Sequence, residues 1–153
     1  MSRLVDSIYQ IYNNPFVLAP LFCTSFKEIQ AREKNVLLAY LVLPLVLHEE
    51  SKKWLINAKS TSSIHSFSQK KANISGLPER IQLYKNLTNQ CLQYAIDNQM
   101  IIINDNLNIV VSKTENKLLN NLTESKKASA KLCKIFKDLD VVVIYRLLGV
   151  KNL

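Results

Sequence analysis

The sequence predicts a mainly helical α+β domain in which a winged-helix-like segment carries one β-hairpin. Apolar residues recur at helical spacing along most of the chain, and one short stretch has a hairpin pattern. The 153 residues include only two glycines and four prolines, too few turn-forming residues for a sandwich or barrel of many short strands. We expect a single domain over residues 1–153, with a helical N-terminal part (1–57), a winged-helix-like part (61–112) and C-terminal helices (113–153).

The first predicted helix begins near Asn14, which is a suitable cap, with Pro15 in the first helical position. Apolar residues then follow helical spacing to Ile29. Pro20 falls in the second turn, where proline removes a main-chain donor. We therefore expect the true start of this helix to move to about Ala19.

Residues 36–47 form the longest apolar run of the chain. A bilayer span needs about 20 apolar residues, so this run predicts a buried core helix. Asn35 is its expected cap, and Pro44 is expected to kink or split it. A polar helix is expected to follow from His48, with acidic residues in its first turn.

The middle part combines helical and strand signals. A short helix is predicted from Ile64 to the Lys70–Lys71 pair, and a long one over residues 78–98. Residues 100–103 and 107–111 are apolar and flank an Asn-Asp-Asn turn, which predicts a β-hairpin. Short helix, turn, long helix and hairpin is the order of a winged helix-turn-helix, with the hairpin as the wing. The alternative is an α+β domain in which the hairpin is incidental.

The C-terminal part begins with residues 113–121, which are polar and loosely helical in pattern. Residues 128–136 resume helical spacing, and residues 138–148 predict a last helix that ends at Gly149.

The sequence offers little to support catalysis. It contains no metal-binding, P-loop or nucleophile-elbow motif, and its three cysteines, Cys23, Cys91 and Cys133, are far apart. His48 with Cys23 is the one pair that could form a nucleophile and base, and nothing in the spacing favours that over packing; His65 stands alone. We therefore expect a non-enzyme without catalytic residues, cofactor or metal. No signal peptide or membrane span is evident, so the expected location is the cytoplasm.

The charge is strongly basic, at a formal net +8. Lysines 127, 131 and 134 fall at helical spacing on one face, and this pattern suits either contact with nucleic-acid phosphates or a solvated surface. On the long helix, Arg80, Gln82, Asn86, Asn89 and Gln93 are a weak set of base-reading candidates. The candidate contacts with DNA or a partner are Lys70, Lys71, Arg80, Lys85, Lys126, Lys127, Lys131 and Lys134.

Particular sequence stretches resemble the middle component of bacterial three-component ABC systems, the Lamassu-type systems that act against phages and plasmids. They are YNNPF at 12–16, APLF at 19–22 and the fairly specific LVLPLVLH at 41–48. LPER at 77–80, the long helix, the hairpin and the C-terminal apolar helix complete the layout. The chain is richer in Lys and Asn than many members of this family.

The resemblance implies a small, non-catalytic accessory subunit of a complex that senses foreign DNA. Its partners would be an SMC- or Rad50-like coiled-coil ABC ATPase and an effector subunit, often a nuclease, which is held inactive until DNA is sensed. DNA would be bound in the assembled complex. The alternative is a stand-alone winged helix-turn-helix DNA-binding regulator. A subunit should expose apolar patches when isolated, whereas a regulator should bind a defined DNA sequence.

Overall fold

The computed structural model describes residues 13–29, 34–112 and 122–151. Helices make up most of these residues, and one two-stranded antiparallel hairpin accompanies them, so the predicted mainly helical fold with one β-hairpin is confirmed. The elements are α1 (Pro15–Glu28), a 3-10 helix (Asn35–Leu38), α2 (Ala39–Val46), α3 (Glu49–Ile56), α4 (Ile64–Gln69), α5 (Lys71–Ile74), α6 (Leu77–Asp97), β1 (Ile101–Ile103), β2 (Ile109–Val111), α7 (Thr123–Phe136) and α8 (Val141–Leu147).

Helix α2 lies at the centre of the core, as its uniformly apolar sequence predicts. All of its residues except Tyr40 are buried, and α1, α6 and α7 pack around it. The apolar run does not form one α-helix, because its first residues adopt the tighter 3-10 conformation and the α-helix begins only at Ala39. Pro44 lies inside α2, which ends two residues later.

The C-terminal end of α2 is buried, yet its last four carbonyls all have donors. A helix end normally leaves these groups without partners inside the helix. The donors are the Leu47 amide for Leu43 (3.1 Å), Arg80 Nε for Pro44 (3.2 Å), Ser51 Oγ for Leu45 (2.5 Å) and Ser125 Oγ for Val46 (3.2 Å). Side chains from α3, α6 and α7 therefore meet at this point and compensate for its burial.

Helix α1 begins where Asn14 and Pro15 predict. The Asn14 Oδ1 accepts a hydrogen bond from the Phe16 amide at 3.0 Å, and Pro15 occupies the first turn. The expectation that Pro20 moves the start to Ala19 is wrong, because Pro20 lies inside the helix. The carbonyl that it leaves without an i+4 donor belongs to Phe16, which is exposed to solvent, while packing of α1 against α6 and α7 supports the helix.

The middle of the chain follows its sequence signals closely. Ser63 caps α4 in a reciprocal hydrogen-bond pair with Ser66, and Gly76 takes a left-handed conformation (φ 69°) directly before α6. Helix α6 is continuous over 21 residues, as the predicted long helix requires, and Thr88 lies buried inside it.

The β1–β2 hairpin is attached to the helices by two asparagines. Asn35 Oδ1 accepts from the Ile109 amide at 2.7 Å, and Asn108 Oδ1 accepts from the Asn35 amide at 3.3 Å. The strand register pairs Ile102 with Val110 on the outer face. Asn35 was expected to cap a helix, but its side chain is engaged with β2, and Lys34 holds the cap position without a side-chain hydrogen bond.

The two C-terminal helices form as predicted, but α7 is longer and α8 is shorter than expected. Helix α7 begins five residues before the predicted stretch, and α8 is followed by Gly149 in a left-handed conformation (φ 77°). The expected loose helix at 113–121 lies outside the described residues. Buried residues from α1 through α8 belong to one core cluster.

Candidate interaction surfaces

Helix α7 carries the predicted lysine stripe on its outward side. Lys127 and Lys134 are exposed, and Lys126 and Lys131 are partly buried beside them. The Lys131 ammonium donates a hydrogen bond to the Ala58 carbonyl at 2.9 Å, just beyond the end of α3. Lys131 therefore joins α7 to the loop between α3 and α4, in addition to carrying charge.

This loop borders a cleft of about 350 Å³ that we call the basic cleft. Its lining residues are Lys53, Trp54, Asn57, Ala58, Lys59, Ser62 and Lys70. Of the candidate contacts predicted from the sequence, Lys70 lies in its wall, and Lys131 reaches it through the Ala58 carbonyl. The fold thus brings together lysines that lie up to 78 residues apart in the chain.

Local contacts hold the shape of the basic cleft. The Trp54 ring packs edge-to-face against the buried Phe67, with centroids 5.1 Å apart and ring planes at 84°. The Lys59 amide donates to Ser62 Oγ at 2.9 Å, which closes the loop, and Asn57 Nδ2 donates to the Lys53 carbonyl at 2.9 Å. The wall is therefore built from ordered main chain and one fixed aromatic ring.

The ion pairs around the basic cleft are long and exposed. Lys53 lies 3.8 Å from Glu49, and Lys70 lies 3.8 Å from Glu50. Surface pairs of this kind contribute between about 0 and 1 kcal/mol and are screened by salt. A polyanion can therefore replace the glutamates as the partner of these lysines with little loss of stability.

The strongest pairing of Glu49 lies with the nearly buried Lys52. Their side chains are 3.1 Å apart, and Lys52 also lies 3.8 Å from Glu124 of α7. The hydrogen bond and charge of Lys52 lower the pKa of Glu49. Lys52 thus links Glu49 of its own helix to Glu124 of α7.

Arg80 is engaged inside the fold. Its guanidinium donates to the carbonyls of Pro44 (3.2 Å), Asn73 (3.1 Å) and Ser75, and burial lowers its pKa. The other two candidate contacts, Lys71 and Lys85, are exposed on α5 and α6 and do not line the basic cleft.

The potential base-reading residues of α6 are also partly engaged. Asn89 accepts a hydrogen bond from the Tyr40 hydroxyl at 2.6 Å, and Gln93 donates to Asp97 at 2.8 Å. Gln82 and Asn86 are exposed. All four of these residues are exposed, and of the five candidates Arg80 alone is engaged inside the fold.

The groups that could support catalysis are placed in packing roles. Cys23 is buried, and the Nε2 of His48 lies 3.2 Å from the Ala72 carbonyl. Burial raises the pKa of Cys91 to about 12, so its thiol stays protonated at neutral pH. Across residues 13–29, 34–112 and 122–151, no three His, Cys, Asp or Glu side chains form a group that could hold a metal ion.

Two further surfaces are apolar. A groove of about 450 Å³ runs beside α8, and Leu37, Val141, Val142 and Tyr145 supply much of its lining. Val142 is 66% exposed. The outer face of the hairpin presents the cross-strand pair of Ile102 (57% exposed) and Val110 (47% exposed). Exposed apolar groups of this kind are typical of surfaces that contact another protein.

A comparison with protein-family models identifies the family of this chain. The model of the ABC-three component (ABC-3C) system Middle Component 3 family matches residues 2–152. The chain belongs to this family. No curated protein and no solved structure matches the chain. Family membership confirms the resemblance found in the sequence and supports the role of an accessory subunit within a three-component ABC system.

The described part of the middle component has no helix long and apolar enough to cross a membrane. The surface residues that sequence reasoning missed are Lys53, Trp54 and Lys59 of the basic cleft. Lys53 and Trp54 lie in a short amphipathic helix, and their spacing gives no sign that α4 closes over them. Only the tertiary contact between Trp54 and Phe67 reveals the cleft.

Proposed function

We propose that this middle component is a non-catalytic accessory subunit of a Lamassu-type defence complex in the cytoplasm. In this role it connects an SMC-like, Rad50-related coiled-coil ABC ATPase to an effector nuclease and contacts foreign DNA in the assembled complex. The observation that carries the proposal is the family match over residues 2–152, which assigns the chain to a system with further components.

The chemistry of the described residues supports a role without catalysis. The cysteine–histidine pair considered from the sequence has Cys23 in the core and the ring of His48 beside a main-chain carbonyl. Cys91 is held as a neutral thiol by burial. These groups have the partners and the environment of packed side chains rather than of a nucleophile beside a base.

The two apolar surfaces support docking of other subunits. The groove beside α8 and the outer face of the hairpin lie on different elements, so the chain has two regions through which partners can bind. A bridging subunit needs at least two such regions, one for each partner. Complex formation would bury side chains such as Val142 and Ile102 that solvent now contacts.

The basic surface supports contact with DNA phosphates. Lys127 and Lys134 are exposed on α7, and Lys53, Lys59 and Lys70 surround the basic cleft next to it. Lysine contacts with phosphates give affinity without sequence readout, and they weaken steeply with salt. This suits a subunit of a sensor that must respond to unrelated foreign DNA.

A stand-alone winged helix-turn-helix regulator is the second candidate, because the long helix α6 is followed directly by a hairpin. The engagement of Arg80 within the fold weighs against it, since a recognition helix must direct such groups towards base edges. Selective binding to one duplex sequence by the isolated chain would favour this candidate.

The test is to co-express the tagged chain with the ATPase and effector encoded beside it. We expect all three proteins to co-purify and the complex to bind unrelated duplexes with similar affinity. Failure of the chain to co-purify with either protein would contradict the proposal.

The DNA contact is tested in the same complex by changing Lys126, Lys127 and Lys134 together to Glu. Lys131 is left unchanged because it holds the Ala58 carbonyl. We expect weaker binding to every duplex and a shallower dependence on salt, by about 0.9 in log–log slope for each phosphate that is no longer neutralised. Unchanged DNA binding with loss of the ATPase would show instead that the stripe faces the coiled coil.

A further inference from the structure

The basic cleft contains more than a cluster of positive charges, because an aromatic ring forms part of its wall. We propose that it binds one unstacked nucleotide of single-stranded nucleic acid, with the base against Trp54 and the flanking phosphates near Lys53, Lys59 and Lys70. This inference rests on the DNA contact of the proposed function and names the form of nucleic acid that the cleft accepts.

The dimensions of the cleft suit a small part of a larger ligand. Its volume of about 350 Å³ lies at the lower end of the 300–1,000 Å³ that is typical of ligand clefts. A duplex keeps its bases stacked inside the helix and would present only phosphates to the rim. An unstacked base, by contrast, can enter the cleft and reach its aromatic wall.

Trp54 is placed to stack against such a base. The ring is partly buried and is fixed by its edge-to-face contact with Phe67, so part of its surface remains in the wall of the cleft. Because Phe67 is fully buried, the ring has a rigid support and loses little freedom when a ligand binds. Stacking of a base on an aromatic side chain is a principal source of affinity in proteins that bind single strands, and it tolerates any base.

The lysines supply the electrostatic part of the site. Lys53 and Lys70 are more than half exposed and make only long contacts with Glu49 and Glu50, so their ammonium groups can turn towards a phosphate. Lys59 is exposed on the loop that Ser62 closes. Aromatic wall and surrounding cations are the two components of binding sites for single-stranded nucleic acid.

An acidic protein segment would satisfy the lysines but would leave the aromatic wall without a stacking partner. The combination therefore favours a nucleotide, which carries a flat base and a phosphate on one unit. The experiments below distinguish a nucleotide from an acidic protein segment.

The sequence contains one tryptophan, so its fluorescence reports directly on the cleft. The purified full chain is titrated with oligothymidylate, with a duplex of equal length, with inorganic polyphosphate and with an acidic peptide. We expect saturable quenching by oligothymidylate, and little change with the duplex or polyphosphate. An acidic peptide that quenched as strongly as oligothymidylate would overturn the proposal.

Binding is measured in parallel by the anisotropy of labelled oligothymidylate and labelled duplex. Changing Trp54 to Leu should weaken oligothymidylate binding about tenfold, the size expected when one stacking interaction is removed, and should leave duplex binding nearly unchanged. Lys70→Glu should weaken binding more than Lys71→Glu, since the neighbouring Lys71 is exposed but does not line the cleft. Melting curves of each variant establish that it is folded.

The outcomes separate this inference from the proposed function. If both labelled DNAs bind while Trp54 fluorescence and the Trp54→Leu affinity stay unchanged, the inference fails and the general DNA contact stands. If neither DNA binds the isolated chain or the assembled complex, the DNA contact itself fails, and the inference fails with it.

Discussion

The centre of the middle component and its hairpin are held in different ways. Helix α2 is buried among α1, α6 and α7, so its stability comes from apolar surface removed from water on every side. The hairpin has two strands of three residues, and it is attached by the Asn35 and Asn108 side chains, by main-chain hydrogen bonds from Lys34 and Val36, and by the buried Ile101 and Ile109. Helix α2 is therefore coupled to the whole fold, whereas we expect that the hairpin can loosen without unfolding the rest of the domain.

The largest loss of stability should come from a charge placed in the buried helix α2. Leu41 is fully buried, so Leu41→Asp places an unpaired carboxylate in the core and should cost about 4 kcal/mol or more, enough to unfold the domain. Leu83→Asp is the matched control, because Leu83 is 74% exposed on α6 and its replacement should change stability by about 0.5 kcal/mol or less. Chemical denaturation measures both. A folded Leu41→Asp variant with an unchanged midpoint would mean that α2 is a partner surface.

A smaller loss of stability is expected at the C-terminal end of α2, where Arg80 donates hydrogen bonds. Arg80→Met keeps much of the side-chain length but removes the donors to the carbonyls of Pro44, Asn73 and Ser75. The loss should be about 2 kcal/mol, as for other hydrogen bonds from charged groups to partly buried acceptors. Lys85→Met on the same helix should cost much less, since Lys85 is exposed. Equal melting temperatures for the two variants would refute the structural role of Arg80.

The smallest change in the free energy of unfolding is expected at the hairpin. The local change in hydrogen exchange should be clearest there. Asn35→Ala leaves the Ile109 amide without its acceptor and should cost about 1 kcal/mol, partly offset because Asn35 Nδ2 is buried without a partner among the described residues. Hydrogen exchange should speed up at β1 and β2 while α2 stays protected. Asn106→Ala, in the exposed turn, is the control. Uniform loss of protection over both regions would show that the hairpin and centre unfold together.

Much of this fold is predictable from local sequence signals. The buried apolar run of α2 and the Gly76–Pro78 start of α6 each depend on neighbouring residues and are found where expected, and α1 begins at its Asn14–Pro15 capping signal. The expectation that Pro20 moves the start of α1 to Ala19 is wrong, and it shows the limit of predicting a helix from neighbouring residues alone. A proline in the second turn is tolerated because tertiary packing supports the rest of α1.

The candidate surface is less predictable, since long-range contacts decide which polar groups remain available. Lys127, Lys131 and Lys134 share a spacing, but the Ala58 carbonyl engages Lys131 alone. Asn35 has the residue type of a helix cap, and a strand 74 residues away takes its side chain. The wall of the basic cleft depends in part on the contact between Phe67 of α4 and Trp54 of α3. None of these pairings has a periodicity that a single sequence reveals.

The buried end of α2 also constrains how this family can vary. Three side chains on three helices, Arg80, Ser51 and Ser125, each satisfy a different carbonyl at the same helix end. A change at one of them alters the position of the end that the other two must reach, so their effects should not add. During divergence, these positions are expected to be exchanged as a set, together with Pro44, rather than drifting one by one. Covariation among them would mark the junction even in relatives whose surfaces have changed completely.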